Sequence, residues 1–141
     1  MIRTVTDLVA CRGELDGRGK QLVFTNGCFD LLHVGHVRYL QEARGLGDAL
    51  VVAINSDNSV RELKGEGRPL NSASERAEVL LGLESVDYVI VFDGKRATSL
   101  IEAIRPHIYA KGGDYTAETL NSEEKEALAL AGSRIEILSH V

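Results

Sequence analysis

Two imidazoles three residues apart, His33 and His36, close the segment Thr25-Asn26-Gly27-Cys28-Phe29-Asp30-Leu31-Leu32-His33-Val34-Gly35-His36. At that spacing they share one face of the first turn of a helix. An apolar run, Leu22-Val23-Phe24, leads into Gly27, and a helix-like stretch follows from about Val34 to Leu46. A strand that ends in such a turn delivers backbone N–H groups and a helix N-terminus to one spot, where anions bind. Gly35, between the two histidines, leaves room for a ligand's phosphates to approach the backbone. The segment has the outline of a phosphate-handling site. A phosphate nucleophile is already ionised at neutral pH, so His33 and His36 are read as donors to developing negative charge rather than as bases. The alternative is that both rings only cap and pack the start of the helix.

Other residue types could contribute to the same chemistry. Arg68 and Arg76 are candidates for gripping a sugar phosphate or a triphosphate through bidentate hydrogen bonds, although Arg76 could instead pair with Glu75 or Glu78 on its own helix. Asn55 and Asp57 occupy a strand end, where a short polar side chain bonds a sugar hydroxyl or caps the next helix. Asp30 could cap the helix after it or orient a loop. Cys28, His33 and His36 are all zinc-ligand types, but no fourth ligand is evident, and His107 and His140 do not form the second pair a structural zinc site uses. No metal site is therefore assigned to protein side chains. Cys28 is read as a small residue whose backbone N–H faces phosphate, in preference to a covalent nucleophile.

The elements that must position these groups alternate along the chain. The patterning predicts a short helix over 6–12, a strand at 21–26, a helix at 34–46 and a strand at 49–55. It continues with a helix at 57–63, a glycine-rich loop at 64–69, and a helix at 72–82 opened by Ser72 or Ser74 with Glu75 close behind. The second half repeats the rhythm: a strand at 86–92, a helix at 97–105 stopped by Pro106, a strand at 108–111, a helix at 122–131 and a strand at 134–138. Near-continuous apolar strands suit a parallel sheet covered on both faces. The expected fold is α/β: a single-domain, Rossmann-like, doubly wound parallel sheet of about five strands with helices on both faces, whose ligands sit beyond the carboxyl ends of the strands. Residues 1–19 form an N-terminal helix and lead-in, and 20–138 the catalytic core.

At 141 residues the chain is one domain. The 21 acidic and 16 basic residues give a net charge of −5 and are well mixed, so no basic patch argues for nucleic acid. The longest apolar run, Ala49 to Ile54, is far short of the roughly 20 residues of a membrane span. Two cysteines make no disulfide framework, and the expected location is the cytoplasm.

The His-x-Gly-His pattern after Gly-x-Phe-Asp resembles the signature of the nucleotidyltransferase superfamily. Within it, the string from Thr25 to His36 is most similar to the adenylyltransferase domain of bacterial ADP-heptose synthases. Three later strings agree in order and spacing: Asn55-Ser56-Asp57; Lys64-Gly65 with Arg68-Pro69-Leu70-Asn71 and Arg76; and Lys111-Gly112-Gly113-Asp114-Tyr115. The resemblance covers roughly residues 20–138 and implies an enzyme that joins Mg2+-bound ATP to a sugar 1-phosphate, D-glycero-β-D-manno-heptose 1-phosphate, with release of pyrophosphate. It implies catalytic roles for His33, His36 and Lys64, the last as a phosphate ligand on a loop loosened by Gly65 and Gly67. It implies nucleotide contacts from Asn26, Gly27, Cys28, Phe29, Gly35, Lys111, Gly112, Gly113 and Asp114, and sugar-phosphate contacts from Asp30, Asn55, Asp57, Arg68 and Arg76. A homodimer, and a separate sugar kinase to supply the substrate, follow from the same likeness. Superfamily members usually carry a Ser/Thr-rich element after the last strand, whereas this chain stops at Ser139-His140-Val141, so that element is expected to be missing. A cytidylyltransferase acting on a small alcohol phosphate such as glycerol 3-phosphate shares the two histidine-loop patterns, and a nucleotide sensor without catalysis is a third reading.

Overall fold

Five apolar strand segments separated by amphipathic ones resolve into one parallel sheet with helices on both faces. The computed structural model describes residues 2–94, 96–112 and 121–138. In chain order these form α1 (Val5–Gly17), β1 (Leu22–Gly27), α2 (Val34–Arg44), β2 (Ala49–Asn55), α3 (Asp57–Lys64), α4 (Ala73–Leu81), β3 (Tyr88–Phe92), α5 (Thr98–Ile104), β4 (Ile108–Lys111), α6 (Ser122–Ala131) and β5 (Arg134–Ile137). The strand order is β3-β2-β1-β4-β5. Val23 of β1 stands opposite Leu50 of β2 on one side and Ile108 of β4 on the other. The chain therefore winds outward from β1 to β3, returns, and continues outward from β4 to β5. The reversal opens a crevice beyond the carboxyl ends of β1 and β4.

Because side chains alternate across a strand, each face has its own core. Leu22 and Phe24 of β1 pack with Tyr109 and with Leu8, Ile101 and Leu128 from α1, α5 and α6. Val23 packs with Leu50, Val52 and Ile108 and with Leu40, Ala43, Ala77 and Leu80 from α2 and α4. All seven residues of β2 are buried, as its unbroken apolar run requires for a strand covered on both faces.

Several boundaries differ from the sequence reading for local reasons. Helix α1 runs on to Gly17 instead of stopping near Arg12, with Leu15 packed against the core beyond the point where the apolar spacing fades. Its start is a capping box between Thr4 and Asp7. Ser72, not Ser74, caps α4 by accepting from the Glu75 amide. Strand β3 begins at Tyr88, two residues later than expected. Helix α5 ends at Ile104, with Arg105 in the left-handed region (φ 54°) just before Pro106.

The largest departure concerns Arg76. It was expected to grip substrate or pair with Glu75 or Glu78, but its side chain points inward from α4 and is fully buried. Its Nη1 donates to the carbonyl oxygens of Cys28 and Asn55, both at 2.8 Å. Its Nε donates to Asn71 O at 3.0 Å and its Nη2 to Asp57 Oδ1 at 2.8 Å. One guanidinium thus ties the exits of β1 and β2 to the starts of α3 and α4. Asp57 is drawn into the same knot, accepting also from the Ala73 amide at 2.8 Å. It neither caps α3, which Ser56 does, nor faces the crevice. Replacing Arg76 with Met would leave three main-chain carbonyls without their donor and is expected to destabilise the fold by roughly 3–5 kcal/mol in urea unfolding. Asp57→Asn should cost clearly less, because the three main-chain carbonyls keep their donor and the amide oxygen can still accept from Arg76 Nη2. Equal losses from the two variants would refute the knot.

Candidate active site

A cleft of about 620 Å³ lies over the carboxyl ends of the strands and draws on the loops after β1, β2, β3 and β4. Its floor is the turn after β1. Phe29 takes a left-handed conformation (φ 49°) and folds its ring back over Gly27, where a Cβ would stand only 2.9 Å from the ring. A side chain at position 27 would have to displace that ring. The same ring meets His36 edge-on, with centroids 5.7 Å apart.

His33 is the N-cap of α2, its Nδ1 accepting from the Gly35 amide at 2.9 Å. His36 answers it, its Nδ1 accepting from the His33 amide at 3.2 Å, and the two rings lie 4.1 Å apart. A backbone N–H can only donate, so each Nδ1 must offer a lone pair, and in the neutral ring the proton sits on Nε2. Capping and phosphate donation are therefore not rival roles. The cap selects the tautomer in which Nε2–H is the outward donor. Burial, and then the neighbouring His33, push the His36 pKa below its ordinary value, which favours the neutral form the cap requires. His36 lines the cleft; His33 is exposed and is not part of its lining. The Gly35 amide is occupied by His33.

Asp30 caps no helix. Its carboxylate accepts from the amides of Leu70 (2.8 Å) and Asn71 (2.9 Å) and from Arg68 Nε (3.0 Å), while Asn71 Nδ2 donates to its carbonyl oxygen. Burial pushes the Asp30 carboxyl up, but the two amides and the Arg68 guanidinium outweigh it and hold its pKa below the ordinary value. The result is a clamp that ties the 68–71 segment to the loop after β1 and holds Arg68, which lines the cleft, by its Nε. Lys64, exposed at the end of α3, lines the same wall ahead of Gly65 and Gly67, whose φ values of 93° and 87° suit glycine.

Strand β4 supplies the opposite wall. Lys111 donates to Asn26 O at 3.4 Å, and its pKa is lowered by burial, against the pull of Glu124 and Cys28. Gly112 lines the cleft; Gly113 and Asp114 lie outside the described residues. Tyr109 Oη sits 2.8 Å from the Asn26 side chain and 3.2 Å from Glu124 Oε2. Burial pushes the Cys28 thiol up, against the pull of Lys64 and Arg76, so it is poorly suited to act as a nucleophile. Its Sγ lies 3.6 Å from Asn55 Oδ1, and Asn55 Nδ2 donates to Gly94 O at 3.2 Å. Asn55 thereby braces the loops after β1 and β3 while contributing to the cleft floor. Among the described residues, no three His, Cys, Asp or Glu side chains converge as a metal-binding set, and no helix is long and apolar enough to cross a membrane.

The structure brings Asn26, Gly27, Cys28, Phe29, Asp30, His36, Asn55, Lys64, Arg68, Lys111 and Gly112 to the cleft, and leaves His33, Gly35, Asp57 and Arg76 out of its lining. It also adds residues the sequence reading passed over. Arg96, exposed just beyond β3, lines the cleft, as do Tyr39, Asn121 and Glu124. A search for cations after every predicted strand end would have found Arg96. Glu124 carried no signal, being one acid among several on a polar helix.

The histidine cap makes a pH prediction. A folded pKa below 6.5 means that the His36 contribution is complete above about pH 6.5 and is lost as the pH falls through the lower folded value. The stability difference between the wild type and His36→Ala, measured by urea unfolding, should shrink between about pH 7.5 and pH 5. The ring protons of His36 should titrate in NMR with a midpoint below 6.5. A midpoint at or above 6.5 would contradict the cap.

Residues 24–138 match the cytidylyltransferase-like family. Among curated proteins, the bifunctional protein HldE of Pelobacter propionicus is 56% identical over 88% of this chain, and that of Aliarcobacter butzleri is 48% identical over 87%. The chain spans about a quarter of the length of these relatives. Among solved structures, the lipopolysaccharide core biosynthesis protein from Thermoplasma volcanium aligns with a TM-score of 0.74 at 27% identity, covering 87% of this chain and 99% of that one. A pantoate-beta-alanine ligase from Francisella tularensis, at 13% identity and a TM-score of 0.62 over 98% of this chain and 66% of that one, shares the fold. Since the family match takes in every segment that lines the cleft, the chain belongs to the cytidylyltransferase-like family and is a nucleotidyltransferase.

Proposed function

We propose that this domain transfers the adenylyl group of MgATP to a sugar 1-phosphate, D-glycero-β-D-manno-heptose 1-phosphate, giving the ADP-sugar and pyrophosphate. The observation that carries this reading is the 56% identity to bifunctional HldE across the whole cleft-forming region. The structural neighbour named for lipopolysaccharide core biosynthesis supports the same chemical setting.

In this reading an oxygen of the sugar phosphate attacks the α-phosphorus in line. The new P–O bond forms as the bond to the β-phosphate bridging oxygen breaks, and pyrophosphate leaves with that electron pair. No base is required, because the acceptor is a phosphomonoester mostly ionised at neutral pH. The task left to the protein is alignment and charge stabilisation. His36 offers Nε2–H to the phosphates, with His33 holding its ring. Lys64, Arg68 and Arg96 supply cations along the wall formed after β2 and β3. Asp30 keeps Arg68 in place, while Gly27, Cys28, Phe29 and Gly112 bring the backbone close to the nucleotide. Magnesium enters as part of the substrate: Asp30 is engaged by amides and Arg68, so the phosphates rather than a carboxylate cage would carry the ion. A homodimer and a kinase supplying the phosphorylated sugar complete the proposal.

A second reading, cytidylyl transfer to a small alcohol phosphate, is favoured by the description of the matching family. Pyrophosphate release separates the two. With Mg2+, the reading predicts turnover of ATP with heptose 1-phosphate and little with CTP or glycerol 3-phosphate; preference for CTP would overturn it. His36→Ala is expected to lower kcat by about 10²- to 10³-fold, the typical loss on removing one donor to a developing anion. Arg96→Ala should chiefly raise KM for the sugar phosphate, and an unchanged KM would remove Arg96 from the site.

A further inference from the structure

Thr25 of β1 shares a sheet face with Val23, the face that α2 covers, and it is wholly buried there. Tyr39 of α2 is 5% exposed, and its Oη stands 2.6 Å from Thr25 Oγ1. Three residues beyond His36, Tyr39 lies on the same helix face, and a long side chain on a helix leans back toward the N-terminus, here toward the histidine turn. Tyr39 lines the cleft, as His36 does, whereas Thr25 does not. Neither hydroxyl has another hydrogen-bond partner among the described residues. Two hydroxyls carry two protons and share one bond, so one proton of the pair remains to be placed. A phenol is the more acidic of the two and would by itself be the donor. That choice strands the threonine proton inside the fold with no acceptor, and an unmade hydrogen bond in the interior costs more than the difference between two hydroxyl donors. The opposite choice, with Thr25 donating and Tyr39 accepting, leaves the spare proton on the hydroxyl whose side chain borders the cleft. Burial pushes the Tyr39 pKa up to about 12, so the phenol keeps that proton at any neutral pH.

We infer that Tyr39 is a further substrate-binding residue whose phenol, positioned by Thr25, donates to a phosphate oxygen beside the one that His36 Nε2–H serves. The inference rests on the nucleotidyl-transfer reading above. A spare proton at the cleft needs an acceptor, and the phosphate oxygens are the strongest acceptors the substrates carry, because they are charged. They are also the groups that His36, one helical turn away, is placed to hold. Unlike Lys64 and Arg68, the phenol adds a donor without adding charge. It therefore orients one oxygen and leaves the neutralisation of the phosphate chain to the cations.

Tyr39→Phe removes the hydroxyl and keeps the ring in the core. Calorimetry on the full chain with MgATP should show binding weakened roughly ten- to a hundredfold, the worth of one hydrogen bond to a charged acceptor, with adenosine binding unchanged. A loss confined to the KM for heptose 1-phosphate would assign the contact to the phosphate of the sugar instead of the nucleotide. Unchanged affinity and KM, or an equal loss with adenosine, would overturn the inference. Thr25→Val should give a smaller loss with MgATP that Thr25→Ser restores, and no further loss in the Tyr39→Phe background. A full further loss in that background would refute the positioning role. In the unliganded wild type, Raman difference spectroscopy against Tyr39→Phe isolates the tyrosine doublet whose intensity ratio separates a phenol that accepts from one that only donates. A donor-only ratio would refute the orientation whatever the nucleotide does. A wild type that binds no MgATP while showing an accepting phenol would defeat the nucleotide reading, and the phosphate contact with it, and leave the orientation of the pair supported.

Discussion

The buried guanidinium of Arg76 is the constraint on which the rest of the cleft depends. Parallel strands end with carbonyl groups that the ladder no longer satisfies, and an enzyme that works at those ends cannot cover all of them with regular structure. Arg76 answers the exits of β1 and β2 with one planar fork, receiving its position from α4, whose inner face also carries Ala77 and Leu80 into the core. A lysine could not do this, because a single ammonium lacks the spread of donors that reaches Cys28, Asn55, Asn71 and Asp57 together. The floor of the site is therefore tied through α4 to the hydrophobic core.

Upon that base the site is assembled from polar groups that perform two tasks at once. His33 and His36 satisfy helix-end amides and, in doing so, select the tautomer with an outward Nε2–H. Asp30 satisfies the amides of Leu70 and Asn71 and, through the same carboxylate, holds Arg68. Asn55 steadies the loop after β3 while forming part of the floor. The common physical reason is that loops over the end of a sheet have few apolar contacts to fix them. Side-chain hydrogen bonds must then supply their rigidity, and the groups left over are already aimed.

Charge is distributed unevenly around the cleft although the chain as a whole is acidic. Lys64, Arg68 and Arg96 gather on the side formed after β2 and β3, whereas on the side of β4 and α6 Lys111 stands with Glu124 and the Tyr109 phenol. A local concentration of cations in a concave surface attracts a polyanion regardless of net charge, because the field there is set by the nearest groups and screened beyond about 8–10 Å.

The sequence by itself determined the fold class, the five strands and the segment that carries the histidines. Hydrophobic period, caps and glycine turns are local signals, and in this chain they agree with the global arrangement. Strands β2 and β4 begin and end at the residues that the patterning predicts, 49–55 and 108–111. Local pattern could not tell which polar side chains turn inward. Arg76 and Arg68 look alike in sequence, yet one is locked against main-chain carbonyls and the other faces the cleft, because only the packing of α4 decides which guanidinium meets the strand ends. Arg96 and Glu124 enter the cleft for the same kind of reason, being brought there by the sheet order β3-β2-β1-β4-β5 from far apart in the chain. Hydrogen-bond partners separated by dozens of residues are set by topology, and the tertiary structure alone supplied them.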